Sequence, residues 1–138
     1  SGHEQGTVRS WNLSDNASTV LWEDATARVP FYTLRVSPDH KIVALATYCT
    51  IWLTPISEKR AESAIQLQYP VSGIAFSPDS QSIACGARHN ICLYKVSDCS
   101  RITTIVTNDR VGRLVFSPDG RTIAACAMSS LKVQLWNV

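Results

Sequence analysis

The residues best suited to chemistry are two cysteines and a histidine, spaced Cys85-x3-His89-x2-Cys92. Thiolate and imidazole groups are ligands that zinc prefers. The spacing matches none of the usual zinc patterns, and both cysteines fall where an apolar strand needs a small core residue. The sequence therefore favours structural cysteines and no metal or other cofactor. Cys126 is expected in the core like Cys85, and Cys99, in a loop, is expected to be the most exposed thiol.

A serine and an aspartate two residues apart form the second chemical candidate, and the pair occurs three times: Ser37/Asp39, Ser77/Asp79 and Ser117/Asp119. A nucleophilic serine needs a neighbouring base, and the chain has neither a Gly-x-Ser-x-Gly motif nor a phosphate-binding glycine loop. Each pair belongs instead to a Ser-Pro-Asp run, in which Ser, Pro and Asp suit the first three positions of a type I turn. The sequence thus predicts three turns and no catalytic residue.

These turns recur with a fixed period. The segments 36–41, 76–81 and 116–121 repeat at steps of 40 residues. A second marker keeps the same period, because short alternating runs end at Trp11, Trp52, Tyr94 and Trp136. Around each turn the alternation and the content of Ile, Val, Ala and Cys predict strands, four in each period.

Four strands in a period of about 40 to 45 residues are typical of one blade of a β-propeller. The residues resemble the WD40 family, whose repeat runs from an apolar strand through Phe-Ser-Pro-Asp-Gly and Ile-Ala to a strand that closes on Leu-Trp. Residues 114–125 with 133–137 keep this pattern best, and the resemblance covers nearly the whole chain. It implies an all-β propeller of four-stranded antiparallel blades, with about three and a third repeats present.

In the family each blade has strands a to d, from the innermost to the outermost. This assigns strands c and d to 7–22, whole blades to 31–68 and 71–107, and strands a to c to 111–137. The family's Gly-His pair before strand a is replaced by other residues at 28–30, 68–70 and 109–111, and the turns between strands b and c offer no clear Asp. Blades held by apolar packing, without a buried polar network, are therefore expected.

Composition excludes several classes of function. The 13 Lys and Arg against 11 Asp and Glu form no run of either sign, so the composition does not favour nucleic acid as a partner. No apolar run approaches the roughly 18 residues of a membrane span, and the first residues do not resemble a signal peptide. Five cysteines, an odd number without framework spacing, favour free thiols and an intracellular location, cytoplasmic or nuclear.

The blade count predicts that this chain does not form a propeller alone. A closed propeller needs at least four blades, and open blade faces would leave apolar surface and sheet edges in water. The remaining blades of a longer propeller are the favoured neighbours. Assembly with other copies of the chain is the alternative, although joining the two ends in this way would duplicate a c strand.

The surface residues favoured for partner contact lie in the loops between strands b and c and between strand d and the next strand a, which share one rim of a propeller. They are Arg28, Tyr48, Tyr69, Arg88, His89 and Arg110. Arg and Tyr are frequent anchors of protein interfaces.

The resemblance implies a non-catalytic protein–protein interaction scaffold. The alternative is a segment of a propeller enzyme or of a ligand-sensing propeller, which would need charged groups on the innermost strands. Among the strand a residues Tyr32, Thr33, Ser72, Gly73, Gly112 and Arg113, Arg113 alone is charged. This favours the scaffold.

Overall fold

The computed structural model describes residues 6–24, 31–58, 63–130 and 132–138, and all regular structure within them is β-strand. The strands are β1 (Gly6–Trp11), β2 (Ser18–Asp24), β3 (Thr33–Val36), β4 (Ile42–Ala46), β5 (Thr50–Pro55), β6 (Ser63–Gln66), β7 (Val71–Phe76), β8 (Ser82–Ala87), β9 (Asn90–Lys95), β10 (Arg101–Val106), β11 (Val111–Phe116), β12 (Thr122–Ala127) and β13 (Val133–Asn137). The predicted all-β class is confirmed. Among the described residues there is no helix that is long and apolar enough to cross a membrane.

The strands form antiparallel sheets in which neighbours in sequence are neighbours in space. The sheets are β1-β2, β3-β4-β5-β6, β7-β8-β9-β10 and β11-β12-β13. The first strand of the β7–β10 sheet packs beside the first strands of the β3–β6 and β11–β13 sheets, so that β7 contacts both β3 and β11. The inner edges of three sheets therefore meet along one side of the molecule.

Each Ser-Pro-Asp run forms the tight hairpin that the sequence predicts. In the first, the His40 amide donates to the Ser37 carbonyl at 2.9 Å, which closes the turn. The Ser37 hydroxyl donates to Asp39 Oδ1 at 2.6 Å and accepts the amide of Ile42 at 2.9 Å. Although Ser37 is buried, its polar side chain is thus satisfied. The residue after Asp is left-handed in all three copies, with φ of 59° at His40, 62° at Ser80 and 73° at Gly120.

The hydrophobic core lies between the faces of successive sheets. Ile74 and Phe76 of β7 pack toward the β3–β6 sheet in one buried cluster, which also contains Ile51. Ala75, from the opposite face of the same strand, belongs to a second cluster with Leu114 of β11. Because both faces of the middle sheets are covered, their strands are apolar at consecutive positions, unlike the strict alternation of a half-exposed strand.

The last sheet buries one face and exposes the other. Leu114 and Ala125 pack toward β7–β10, whereas Val115, Val133 and Leu135 are 59%, 66% and 68% exposed. Cys126 belongs to this open β12 surface and is exposed, so its predicted core position is wrong. Its burial would require another sheet against this face.

Cys99 corrects the other cysteine prediction. It is partly buried and packs against the core cluster between the β3–β6 and β7–β10 sheets. Cys126 is thus more exposed than Cys99. The loop position of Cys99 suggested solvent exposure, but its side chain packs against the core cluster. The backbone at Cys99 is left-handed, with φ of 56°.

Candidate protein-interaction rim

The loops that follow the second and fourth strands of the sheets lie at one end of the molecule. We call this surface the loop rim; it comprises residues 47–49, 67–70, 88–89, 107–110 and 128–130. Backbone hydrogen bonds hold it together with a repeated geometry. The amide of Val71 donates to the Tyr48 carbonyl at 2.8 Å, and the amide of Val111 donates to the Arg88 carbonyl at 2.7 Å. Each long loop is therefore fastened to the short turn of the preceding sheet.

Arg88 and Tyr69 come together on this rim. The guanidinium carbon of Arg88 lies 5.0 Å from the centroid of the Tyr69 ring, within the range of a cation–π interaction. The tyrosine itself packs against the core cluster below. Arg88 takes a left-handed backbone conformation, with φ of 56°. A charged side chain that is usually mobile is thus held above an anchored ring, while it stays exposed.

Asp109 fastens the next part of the rim. Its carboxylate accepts hydrogen bonds from the hydroxyls of Ser129 and Ser130, both at 2.9 Å, and from the Gln134 amide at 3.4 Å. The hydrogen bonds from Ser130 and Ser129 are the main reason that the pKa of Asp109 lies below its ordinary value. The loop before β11 is thereby tied to the turn between β12 and β13.

Thr107 completes the attachment of this loop. It is buried, and its hydroxyl lies 2.6 Å from the Asp109 carbonyl and 3.0 Å from the His89 carbonyl. A polar network therefore ties the loops of the last two sheets together at the rim, while the buried clusters between the sheets are apolar. This network could not be predicted because Asp109 occupies the place that Tyr69 holds one period earlier, so no repeat reveals it.

Five of the six residues predicted for partner contact lie on the loop rim, and Arg28 is outside the described residues. Tyr48, Arg88 and Arg110 are exposed, whereas Tyr69 and His89 are half-buried. The carbonyl of Arg110 accepts the Met128 amide at 2.8 Å, which fixes the backbone beneath its side chain. The exposed side chains are thus carried on loops that are held in place on both sides.

The two candidate metal-binding cysteines face each other across neighbouring strands instead. Cys85 and Cys92 are direct partners in the β8–β9 ladder, and Thr104 Oγ1 lies 3.6 Å from the Cys92 sulfur. The hydrogen bond from the Cys85 thiol lowers the pKa of Cys92 to about 6, and the same interaction with burial raises the pKa of Cys85. Within the described ranges, no group of three or more His, Cys, Asp or Glu residues could hold a metal ion.

Solved structures identify the class of the fold. The chain superposes on the Cps50 (Swd1) β-propeller domain of Myceliophteria thermophila with a TM-score of 0.82 at 14% sequence identity, over 98% of this chain and 48% of that one. It also superposes on Kuenenia stuttgartiensis hydrazine synthase with a TM-score of 0.74 at 13% identity, over 80% of this chain and 33% of that one. The fold is a run of β-propeller blades, and the chain spans about half the length of the Swd1 propeller.

The sequence places the chain more narrowly. The sequence model of the family "WD domain, G-beta repeat" matches residues 65–95 and 99–137, which together make up half of the chain. The protein belongs to the WD40 family, as its repeats predicted. No curated protein sequence matches it.

Proposed function

We propose that this protein is a non-catalytic segment of a WD40 propeller that binds other proteins through its loop rim. One observation carries the proposal: exposed Tyr48, Arg88 and Arg110 are mounted on loops whose backbones are hydrogen-bonded to neighbouring sheets. A surface that is already ordered loses less conformational entropy when a partner binds.

The chemistry of the rim suits protein contact. Tyrosine and arginine contribute area, hydrogen bonds and charge, and they are enriched among residues that dominate binding energy. Arg88 is already held over Tyr69, and its exposed guanidinium can donate hydrogen bonds to a partner. The Asp109 carboxylate already accepts hydrogen bonds from Ser129 and Ser130, whereas Arg88 and Arg110 are exposed and can contact a partner.

An enzymatic propeller is the second candidate. Part of a hydrazine synthase chain superposes on this chain, but the likeness concerns the fold and covers a third of that chain. Among the described residues, the carboxylates of Asp39, Asp79 and Asp119 are engaged in hairpin turns. The scaffold is therefore favoured.

The partners we propose are proteins, including the remaining blades of a propeller or other copies of this chain. Nucleic acid is an unfavoured partner because the balance of 13 basic and 11 acidic residues creates no basic stripe. We propose an intracellular location, cytoplasmic or nuclear, on the basis of the five cysteines without disulfide spacing.

The test compares the amounts of the proteins that are captured by a rim variant and by a matched control. The rim variant combines Tyr48→Ala, Arg88→Ala and Arg110→Ala. The control combines Lys41→Ala, Lys95→Ala and Arg121→Ala, which are exposed residues at the opposite end of the strands. Equal melting temperatures of the two variants would establish that both are folded.

We expect a set of proteins that the wild type and the control capture equally and that the rim variant loses. Each such protein is then purified and its affinity for the three chains is measured by calorimetry, where the rim variant should bind at least about tenfold more weakly. Equal affinity for all three chains would refute the rim as the contact surface.

A further inference from the structure

A polar groove runs across the inner edges of β3, β7 and β11, on a different side of the molecule from the loop rim. Its volume is about 440 Å³, and Tyr32, Thr33, Arg35, Ser72, Gly73 and Arg113 are among its lining residues. Cavities of this size hold small molecules. In a propeller the innermost strands face the central channel, so this groove belongs to the channel wall.

The floor of the groove is formed by a close approach of two strands. A Cβ atom on Gly73 would lie 3.0 Å from the Gly112 carbonyl oxygen and 3.3 Å from the Arg113 Cα. A side chain at this position would require β11 to shift by a few tenths of an ångström, so glycine favours this close approach of the two strands. The approach places Arg113 directly beside the floor, and Arg35 lines the groove from β3.

The groove carries uncompensated positive charge. Arg35 and Arg113 are exposed, and no Asp or Glu is among its described lining residues. The Nη1 group of Arg35 donates to the Leu34 carbonyl at 2.8 Å, which leaves the rest of its guanidinium hydrogens for another acceptor. The sequence had suggested Arg113 as the charged group of the inner strands, and the structure adds Arg35.

Ser72 adds an unsatisfied hydrogen-bonding group. Its hydroxyl is buried and has no hydrogen-bond partner among the described residues. Ser72 is the extra residue of a β-bulge, since the register of β7 against β8 shifts between Val71 and Gly73. Bulges of this kind re-aim side chains, and an unpaired buried hydroxyl is uncommon in folded proteins. The hydroxyl lies behind the groove wall, because a Cβ atom on Gly86 would meet the Ser72 oxygen at 2.8 Å.

We propose that this groove binds a small anion that carries phosphate or carboxylate groups. Guanidinium groups pair with both through two parallel hydrogen bonds. Arg35 and Arg113 contact the anion from the two sides of the groove. This site is separate from the loop rim, and a propeller that binds partners at its rim can hold such an anion in its channel.

Calorimetric titration of the full chain with tripolyphosphate and with citrate, at constant ionic strength, tests the proposal. The variants are Arg35→Gln and Arg113→Gln, with Arg121→Gln as the control, because Arg121 is an exposed arginine in the turn after β11. Melting curves check that each variant is folded. Two independent groove variants on different strands guard against the failure of one of them to fold.

We expect at least one probe to bind the wild type and Arg121→Gln equally, and to bind each groove variant about tenfold more weakly. The preferred probe then distinguishes phosphate from carboxylate. Binding of neither probe to the wild type would overturn the proposal. Equal loss of affinity in Arg121→Gln would overturn it as well, since that would reveal attraction to net charge alone.

Discussion

The hairpin carboxylates show how a residue pair that resembles catalytic chemistry becomes structural. The Asp79 carboxylate accepts hydrogen bonds from the Ser77 hydroxyl and, at 3.0 Å, from the Gln81 amide. The hydrogen bond from Ser77 is the largest cause of the lowered pKa of Asp79. The same arrangement recurs at Asp39 and Asp119. A carboxylate engaged in this way stabilises its turn and is a poor general base.

A pH dependence of stability follows from this lowered pKa. The unfolded chain takes up protons near the ordinary Asp value of 3.8, whereas the folded chain takes them up only at lower pH. Below about pH 5 the unfolded state therefore binds more protons, and the free energy of unfolding falls as the pH falls through the folded pKa. Above that range the contribution is fully present.

Asp79→Asn tests this assignment. Chemical unfolding at several pH values between about 3 and 7 should show a shallower loss of stability in the variant than in the wild type, because one titrating group is gone. Asp15→Asn is the control, since Asp15 lies in an exposed loop outside these hairpins. Parallel curves for the wild type and Asp79→Asn would contradict the assignment.

The structural role of a residue could be predicted from the sequence most accurately where the residue belongs to a repeat. The three Ser-Pro-Asp turns were visible because each copy supports the others. Arg35 was missed because the period aligns it with Ala75 and Val115, which are apolar, and Asp109 was missed because it aligns with Tyr69. A residue that belongs to a site but not to the repeated pattern occurs once, so the repeat does not predict its role.

At the scale of strands and sheets, apolar contacts between neighbouring sheets hold the structure together. Phe76 at the end of β7 is 8% exposed and packs in the cluster between the two four-stranded sheets. Val106 at the end of β10 is an apolar strand residue of the same sheet, but it is 76% exposed. The two positions differ in burial and share their secondary structure.

Phe76→Ala should therefore destabilise the protein by about 3 to 5 kcal/mol, because it removes a ring from a packed cluster and leaves a cavity. Val106→Ala should change the free energy of unfolding by less than about 0.5 kcal/mol. Denaturant unfolding of the two variants measures both values. Similar small changes at the two positions would show that the sheets do not pack through Phe76.

The order of the strands could be predicted because the alternation of apolar residues and the turn motifs are local signals. The burial of individual faces could not, because it depends on which sheets lie next to each other. Cys126 has the sequence context of a core residue, yet the open face of the last sheet leaves it exposed. The same pattern would be buried if another blade covered that face.

At the scale of the whole molecule, the sheets present an uncovered apolar face at one end. Val115, Val133 and Leu135 are exposed there, while the opposite face of the same sheet is buried. In a propeller such a face is covered by the next blade. Exposed apolar patches of this kind promote association with another protein surface or with a second copy.

Leu135→Lys places a charge in the middle of this face without touching the buried side of the sheet. The variant should lower self-association because a charged group is costly to bury between sheets. Arg113 and the loop rim are unchanged by it, so binding at those surfaces should be retained. Thr104→Lys, on an exposed position of the outer strand β10, is the matched control.

Light scattering over a dilution series measures the native mass of the wild type and of both variants. This measurement tests most directly whether the blades form an open-ended run. We expect a mass that rises with concentration for the wild type and Thr104→Lys, and the mass of one chain for Leu135→Lys at all concentrations. A fixed mass of two chains that survives dilution in all three proteins would contradict an open run and would indicate a ring closed by identical copies.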